Sequence, residues 1–406
     1  MHIESLLGKV NTMSTCEVEL SQVILDLAAG PFGSNLKVSC FVEDGFPIID
    51  GANLKGFRVT DNVTKFVTEE KARLLARSIA KRNDVVVTIS GTVGQIAYIP
   101  MDSKYSEYLC SQRQFRVTFD ETKAYVPYIV FYFHTYEGRQ KILAFANQTG
   151  VPALSQPLKN FKKIRMVLPD LDTQKAIAGV IELLNSKIEN NNHINDNLLS
   201  QAQAIFDYSY QVADFQQPFT SLIHVLGGGT PKTGEAEFWN GRIPFFTPKD
   251  VGRPYAFKTE KTITEAGLEH CNSRLFPKNT TFVTARGTVG KVSLAGRPMA
   301  MNQSCYALAS DLIDPILVYF YALRAVNSLK HKASGAVFDA IVTRDFDTET
   351  ISVISETESS RLLSLITPMM SAIHANAEEN LRLASLRDSL LPKLMTGEID
   401  VSAVSI

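Results

Sequence analysis

The chain has 406 residues, 45% hydrophobic and 20% charged, so it is too long for one ordinary core and is expected to form two to four well-packed domains. Its formal net charge is −1, from 41 lysines and arginines against 42 aspartates and glutamates. That balance excludes a protein that coats nucleic acid by bulk charge, but it leaves room for local basic patches.

The amino-terminal segment shows no targeting signal. Residues 1–20 lack a basic stretch followed by an apolar core, and no apolar run reaches the roughly 18–20 residues that a membrane span needs. The five cysteines are scattered and form no pair at metal-ligand spacing, which indicates neither a disulfide framework nor a zinc site. We therefore expect an unexported protein of the reducing cytoplasm.

The first region, residues 1–170, is typical of a β-rich domain. Short strands such as Val85 to Ile89 and Phe115 to Val117 are separated by turn signals. A glycine-containing loop, Ala28 to Gly33, lies near the start of the region. Ser90 to Gly94 connects two strands, and its glycines indicate a hairpin turn with positive φ.

Near Asp172 the chain changes to a stretch almost free of glycine and proline, and residues 171–212 are predicted to form a central helical spacer of roughly 35–40 residues. An apolar seam recurs every seven residues, as in a coiled coil, at Ile177, Leu184, Asn191, Leu198 and Ile205. On the helical turns between these positions we place Val180, Ile194 and Tyr208.

The second half of the chain repeats the first. Gly91 and Gly94 align with Gly287 and Gly290 at an offset of 196 residues. The matching segments are Phe46 to Gly56 with Ile243 to Arg253, Thr88 to Pro100 with Thr284 to Gly296, and Gly150 to Phe161 with Gly335 to Phe346. Residues 213–355 are therefore predicted to be a second β-rich domain, with strands at Phe282 to Thr284 and Tyr306 to Leu308.

A second helical spacer, residues 356–406, begins near Thr357. Its seam lies 185 residues after the first, at Leu362, Met369, Asn376, Leu383 and Leu390. Both helices carry asparagine at the same depth, and a buried polar residue in a seam sets register, so each helix is the simplest partner of the other. Leucine at both Asn191 and Asn376 is then expected to stabilise the seam and loosen its register.

The predicted fold is α+β: two β-rich mixed domains related by an internal repeat and joined by two long antiparallel coiled-coil helices. The alternative is a pair of ordinary amphipathic core helices whose matched asparagines arose by chance. The offset shared by domain and helix favours duplication, because unrelated core helices have no reason to keep the same spacing.

The recurring turns are accompanied by residue types that can bind nucleic acid. Arginine, lysine, asparagine and glutamine can bond phosphates or base edges, although they are also common on ordinary surfaces. Gly287 to Lys291 is too short for a nucleotide-binding P-loop, and the run Gly227 to Lys232 also lacks that spacing. The candidate DNA contacts are Lys37, Arg58, Arg113, Lys232, Lys249, Arg286, Lys291, Asn302, Gln303 and Arg344.

The chain resembles the specificity subunits of type I restriction-modification systems over essentially its whole length. The segments that carry the resemblance are Gly30 to Leu36, Ser90 to Pro100, Gly227 to Val251, Ala285 to Leu308 and Leu390 to Val401. The resemblance implies that each half contributes a target recognition domain for one part of a split DNA sequence. It also implies that the helices set the spacing and dock methyltransferase subunits.

The same resemblance places the chemistry in other subunits. Methyltransferase subunits would use S-adenosylmethionine, and a separate restriction subunit would use ATP and magnesium, so no cofactor, metal or catalytic residue is expected in this chain. No Asn- or Asp-Pro-Pro-aromatic tetrapeptide occurs, and Asp314 to Leu317, an imperfect echo of it, is predicted to begin a helix.

Two other functions are weighed against this one. A free-standing methyltransferase or nuclease would need a catalytic domain, and no span is left over to hold one. A scaffold whose β-rich domains bind proteins is distinguished by whether the chain binds duplex DNA with salt-dependent affinity.

Overall fold

The computed structural model describes residues 15–147, 151–332 and 340–401, and the chain divides into two compact units. The first unit comprises residues 1–186 and 383–406, and the second comprises residues 187–382. Gly150 and Gly335, with which one pair of predicted repeat segments begins, lie outside the described residues.

The first unit is rich in short strands. These are β1 (Thr15–Glu19), β2 (Ile24–Ala29), β3 (Phe41–Val42), β4 (Phe46–Ile49), β5 (Phe66–Val67), β6 (Ile79–Lys81), β7 (Val85–Thr88), β8 (Ile96–Tyr98), β9 (Glu107–Cys110), β10 (Gln114–Phe119), β11 (Ala146–Asn147), β12 (Ala153–Leu154) and β13 (Arg165–Pro169). Its helices are α1 (Glu69–Leu74), α2 (Val126–His134), α3 (Tyr136–Leu143), α4 (Pro157–Lys162) and the start of α5 (Leu171–Gln211), which continues into the second unit.

A four-stranded antiparallel sheet in the order β2-β10-β7-β8 forms the centre of this unit. The residues of β7 read Val-Val-Val-Thr and are all buried. Val85 and Val87 enter one apolar core, and Val86 enters a second. Because alternate side chains of a strand point to opposite faces, β7 is covered on both sides, which explains its unbroken run of β-branched residues.

The second unit repeats this arrangement. Its strands are β14 (Gln216–Pro218), β15 (His224–Gly227), β16 (Trp239–Phe246), β17 (Tyr255–Ala256), β18 (Lys261–Ile263), β19 (Thr281–Thr284), β20 (Val292–Ala295), β21 (Ala300–Met301), β22 (Cys305–Ala309) and β23 (Thr350–Ser352). Its helices are the end of α5, then α6 (Glu265–Glu269), α7 (Pro315–Lys332), α8 (Thr343–Asp347) and the start of α9 (Glu356–Met395), which continues into the first unit.

Strand register confirms the internal repeat. The main sheet of the second unit has the order β15-β22-β19-β20-β17, so β22 lies between β15 and β19 as β10 lies between β2 and β7. Gln114 pairs with Thr88 in the first unit, and Cys305 pairs with Thr284 in the second. Thr88 and Thr284 are separated by the offset of 196 residues seen in the sequence. The predicted strands are present in both halves.

The two long helices contain 41 and 40 residues and begin at Leu171 and Glu356, close to the predicted starts near Asp172 and Thr357. Ile177, Asn191 and Leu362 of the proposed seams are at most 1% exposed. The other seam residues, Leu184, Leu198, Ile205, Met369, Asn376, Leu383 and Leu390, are half-buried.

Of the residues placed on the intervening turns, Val180 is half-buried and packs against the core of the first unit, whereas the placement of Ile194 and Tyr208 was wrong. Ile194 is 47% exposed and Tyr208 is 64% exposed, whereas the buried residues of α5 on these turns include Asn195 and Ser209. Each is one residue further along the chain, because the buried positions follow the seam residues Asn191 and Ile205 by four residues, the d-to-a spacing of a heptad, and not by three.

The asparagines of α5 and α9 form a hydrogen-bonded cluster inside the second unit. Asn191 Nδ2 donates to Asn380 Oδ1 at 2.9 Å and to Glu379 Oε2 at 2.7 Å. Asn376 Nδ2 donates to Asn195 Oδ1 at 2.9 Å. Asn191 and Asn376 therefore do not face each other; each is bonded to the asparagine one turn beyond its counterpart. The pairing runs in opposite directions along the two helices, which shows that they are antiparallel.

The imperfect echo of a methyltransferase motif is a helix start, as predicted. Pro315 is the first residue of α7, and the Asp314 carboxylate accepts a hydrogen bond from the backbone N–H of Ile316 at 2.8 Å. Proline suits this position because its missing N–H would have no helical partner there. None of the helices in the described ranges is both long enough and apolar enough to cross a lipid bilayer.

Candidate nucleic-acid interface

The recurring glycine turns are hairpins, as predicted. Gly91 and Gly94 have φ values of 89° and 85° between β7 and β8, and Gly287 and Gly290 have values of 82° and 71° between β19 and β20. Glycine adopts this backbone region without the steric penalty of a Cβ atom. The two hairpins therefore hold the residues around them in equivalent places in both units.

The glycine-rich loops after β2 and β15 are held by close backbone contacts. A Cβ atom on Gly30 would lie 1.9 Å from the carbonyl oxygen of Ser111, and one on Gly228 would lie 2.3 Å from that of Asn302. Only glycine fits such an approach. The contact brings each loop against the segment that precedes β10 or β22, where Gln112 and the predicted contact Gln303 lie.

These elements enclose a cleft in the first unit, which we call the first cleft. Gln112 and Arg113 are exposed there, Lys159 lies beside them, and Phe32 is 81% exposed. No carboxylate occurs among the described lining residues. They are Ala29, Gly30, Pro31, Phe32, Gly33, Ile89, Ser90, Gln112, Arg113, Gln156, Pro157, Leu158 and Lys159.

The second unit has a cleft beside the corresponding hairpin, the second cleft, which brings together four predicted contacts: Lys249, Arg286, Asn302 and Gln303. Three cationic side chains face a single carboxylate, Glu260, among the described residues that line it. The lining residues are Thr230, Thr233, Trp239, Phe245, Thr247, Pro248, Lys249, Glu260, Lys261, Arg286, Gly287, Asn302, Gln303 and Ser304.

The side chains of the second cleft are mutually positioned. Lys249 Nζ lies 3.2 Å from Glu260 Oε2, and Lys261 Nζ lies 5.4 Å from the centroid of the Trp239 ring. Trp239 Nε1 in turn donates to the backbone carbonyl of Lys232 at 3.1 Å. Both interactions are exposed to solvent and weak, so these cations stay available to an anionic ligand.

Two predicted contacts line other pockets. Arg58 is ion-paired with Asp102 and lines another pocket with Tyr98 and Glu182, where burial raises the pKa of Glu182. Lys291 lines a pocket that includes residues of α5 and α7.

In that pocket Lys291 lies near Lys330, whose pKa is lowered by burial and then by the charge of Lys291. Lys330 Nζ donates to the backbone carbonyl of Gly290 at 2.6 Å. Sequence adjacency to the hairpin placed Lys291 in the candidate set, but Lys291 lines this pocket and not the second cleft.

The remaining predicted contacts, Lys37, Lys232 and Arg344, are exposed but do not line either cleft. Arg344 lies on α8, close in sequence to Ile341, whose backbone N–H donates to the carbonyl of Ala285 at 2.9 Å beside the second hairpin. Lys159 aligns with Arg344 at the offset of 185 residues and does line the first cleft. The repeat contained the signal for Lys159, which sequence reasoning missed.

Replacement of Gly30 by alanine is expected to destabilise the first unit by about 1–3 kcal/mol, because the added methyl group would overlap the Ser111 carbonyl and force the backbone apart. Hydrogen exchange at residues 111–114 should rise with it. Gly56→Ala is the matched control, since a Cβ atom there meets nothing within 4 Å. Equal thermal unfolding of the two variants would show that the loop accommodates the methyl group.

Comparison with known proteins identifies the same repeat. The family model described as "Type I restriction modification DNA specificity domain" matches residues 44–200 and again residues 219–377, together more than half of the chain. The crystal structure of the type I restriction-modification system S subunit from M. genitalium covers 95% of this chain and 98% of its own, with a TM-score of 0.58 and 13% sequence identity. At that identity the likeness shows a shared fold.

Curated relatives match in shorter segments. The type I restriction enzyme MjaIX specificity subunit of Methanocaldococcus jannaschii is 33% identical over 120 residues, 28% of each chain. The EcoR124I/EcoR124II specificity subunit of Escherichia coli is 26% identical over 204 residues, 47% of this chain and 48% of the relative. The matched regions thus span less than half the length of either relative.

Proposed function

The chain belongs to the type I restriction-modification DNA specificity family, and from that premise we propose that it is the sequence-specific DNA-binding subunit of a type I restriction-modification complex. In this proposal each recognition domain reads one short part of a bipartite duplex target. The long helices dock methyltransferase subunits, and the restriction subunit joins through the complex.

The observation that carries the proposal is that a cleft lies beside the same hairpin in both units and is lined by different side chains. Gln112 and Gln303 occupy equivalent positions before β10 and β22, whereas Phe32 in the first unit aligns with Thr230 in the second. Two clefts with a similar backbone framework and different side chains are suited to the recognition of two different half-sites. Positive charge at both clefts favours binding to the DNA phosphates that flank the bases.

Exposed apolar side chains on α5 support docking of a protein partner. Leu183 is 61% exposed, Ile194 is 47% exposed and Tyr208 is 64% exposed. These residues do not contribute to the seam with α9, so their burial by methyltransferase subunits would supply binding free energy.

We assign the chemistry to the partners. Methyltransferase subunits would flip an adenine and use S-adenosylmethionine, and the restriction subunit would use ATP and magnesium. This chain would act without catalysis or cofactor of its own. The family match and the names of the relatives, which are specificity subunits, support this division.

The experiment that tests the function is methylome sequencing of host DNA with and without this gene. We expect N6-methyladenine at a split motif with a fixed spacer to disappear when the gene is deleted. An unchanged methylome, with the partner subunits shown to be expressed, would contradict the proposal and favour a protein scaffold.

Single substitutions separate base reading from phosphate binding. Arg113→Ala is expected to weaken binding to the preferred duplex by about 1–3 kcal/mol and to relax one position of one half-site, because a base-edge contact is lost. Lys37→Ala, an exposed cation outside the first cleft, should weaken all sequences alike if it contacts phosphate. Both effects are measured by the affinity of each variant for duplexes that carry single base-pair substitutions. A residue whose variant shows neither effect is removed from the candidate contacts.

A further inference from the structure

The first cleft carries an aromatic side chain that the fold does not use for packing. Phe32 lines this cleft and is 81% exposed, and it belongs to none of the apolar clusters that the described residues form. A single exposed apolar side chain is ordinary on a protein surface. Phe32 is distinguished by its position, because the charged residues that line the cleft with it, Arg113 and Lys159, are both cations.

The loop that carries Phe32 is fixed on both sides of the ring. Before the ring, the backbone N–H of Gly30 donates to a carbonyl of β10 at 2.8 Å. After it, the backbone carbonyl of Phe32 accepts from the N–H of Asn35 at 2.8 Å. A Cβ atom on Gly33 would lie 2.8 Å from Oε1 of Gln112, so the loop packs directly on that side chain. The backbone therefore keeps the ring in the cleft, and little conformational entropy remains to be lost when a ligand binds.

The side chains of the first cleft suit a ligand that combines anionic groups with apolar surfaces. No carboxylate lies among the described residues that line the cleft, so nothing there opposes the approach of an anion. Duplex DNA offers this combination, because its phosphates are anionic while its bases present π faces and the thymine methyl group. A phenyl ring has no group that bonds phosphate, so its favourable contact with DNA is with the bases.

Building on the proposed function, we infer that Phe32 is a specificity-determining residue of the first recognition domain, and that its ring makes an apolar contact with the bases of one half-site. Burial of the ring against the bases removes apolar surface from water and supplies binding free energy. The closeness of the contact depends on the base pair that the ring meets. Phe32 therefore adds discrimination to the base-edge hydrogen bonds expected from Gln112 and Arg113.

This contact is confined to the first recognition domain. The equivalent position in the second unit is Thr230, whose side chain is short and polar. The second cleft does contain an aromatic ring, Trp239, but its Nε1 donates to the backbone carbonyl of Lys232 and its face meets Lys261. Loss of the Phe32 ring should therefore alter the recognition of one half-site and leave the other unchanged.

The test is selection of bound duplexes from a randomised pool by the full chain, co-expressed with its methyltransferase partner, followed by affinity measurements on the selected duplex. Phe32→Ala should lower the affinity about 10-fold and relax the selected sequence in one half-site only. The slope of affinity against salt concentration should stay unchanged, because the substitution removes no charge. Tyr136→Ala is the matched control: its ring is 82% exposed in the same unit but lies outside the cleft, so neither affinity nor motif should change.

A second variant separates a base contact from proximity to DNA alone. Phe32→Lys replaces the ring with a cation, so the salt dependence should become steeper while the same half-site stays relaxed. Because the ring is exposed, neither substitution should disturb folding.

Unchanged affinity and motif for Phe32→Ala would overturn the inference and leave the proposed function intact. An equal loss of affinity for the selected duplex and for an unrelated duplex would do the same, since the ring would then contribute no sequence discrimination. Absence of any selected motif for the unsubstituted complex would instead overturn both the inference and the proposed function.

Discussion

Replacement of Phe206 by alanine should lower the free energy of unfolding of the second unit by about 3–5 kcal/mol, a larger loss than we expect from any other single substitution in this chain. Phe206 lies on α5 and is fully buried. Its ring stacks on Phe320 with centroids 5.3 Å apart and meets Tyr321 edge-on at 5.1 Å. Alanine would remove these contacts and leave a cavity between α5 and α7 that rigid neighbours cannot fill.

The measurement is chemical denaturation followed by tryptophan fluorescence. The chain has one tryptophan, Trp239, and it lies in the second unit, so the signal reports that unit alone. Tyr208→Ala is the matched control: it removes an aromatic ring from the same helix, but that ring is 64% exposed, and its loss should change stability by no more than about 0.5 kcal/mol. Equal destabilisation by both variants would contradict the packing described for Phe206.

The double substitution Asn191→Leu with Asn376→Leu is now expected to destabilise the second unit, contrary to the expectation from sequence. Asn195, which is 6% exposed, would lose the Asn376 amide that bonds to it, and Asn380 and Glu379 would lose the Asn191 amide. A buried polar group left without its partner costs about 1–3 kcal/mol. We therefore expect a loss of about 2–5 kcal/mol over the two helices.

The informative companion is the quadruple variant, in which Asn195 and Asn380 are also replaced by leucine. With all four cluster positions apolar, no amide of these pairs is stranded, so much of the lost stability should return, while the helices lose the bonds that set their register. Trp239 fluorescence gives the stability, and size-exclusion chromatography detects association through a loosened seam. A double variant more stable than the original chain would mean that the asparagine cluster does not form.

The fold was largely predictable, because its signals are local or repeated. Heptad spacing located both helices, and positive-φ glycines located both hairpins. The candidate interface was predictable only in part. Arg113, Lys249, Arg286, Asn302 and Gln303 line the two clefts, but Arg58 and Lys291 face other pockets.

Which pocket each of those two residues lines depends on tertiary packing. Proximity in sequence to a turn does not specify the face on which a side chain lies. Lys159 illustrates the converse: it is distant in sequence from Arg113 and is brought to the same cleft by α4.

The sequence by itself determined the duplication, the family resemblance, the two long helices and the turns, since periodicity and self-similarity can be read along one chain. Only the tertiary structure decided which polar side chains share a cleft and which asparagine bonds to which. These features depend on the axial shift between packed helices and on contacts among segments far apart in sequence. Both the axial shift and these contacts are set by side-chain packing, which local residue patterns do not encode.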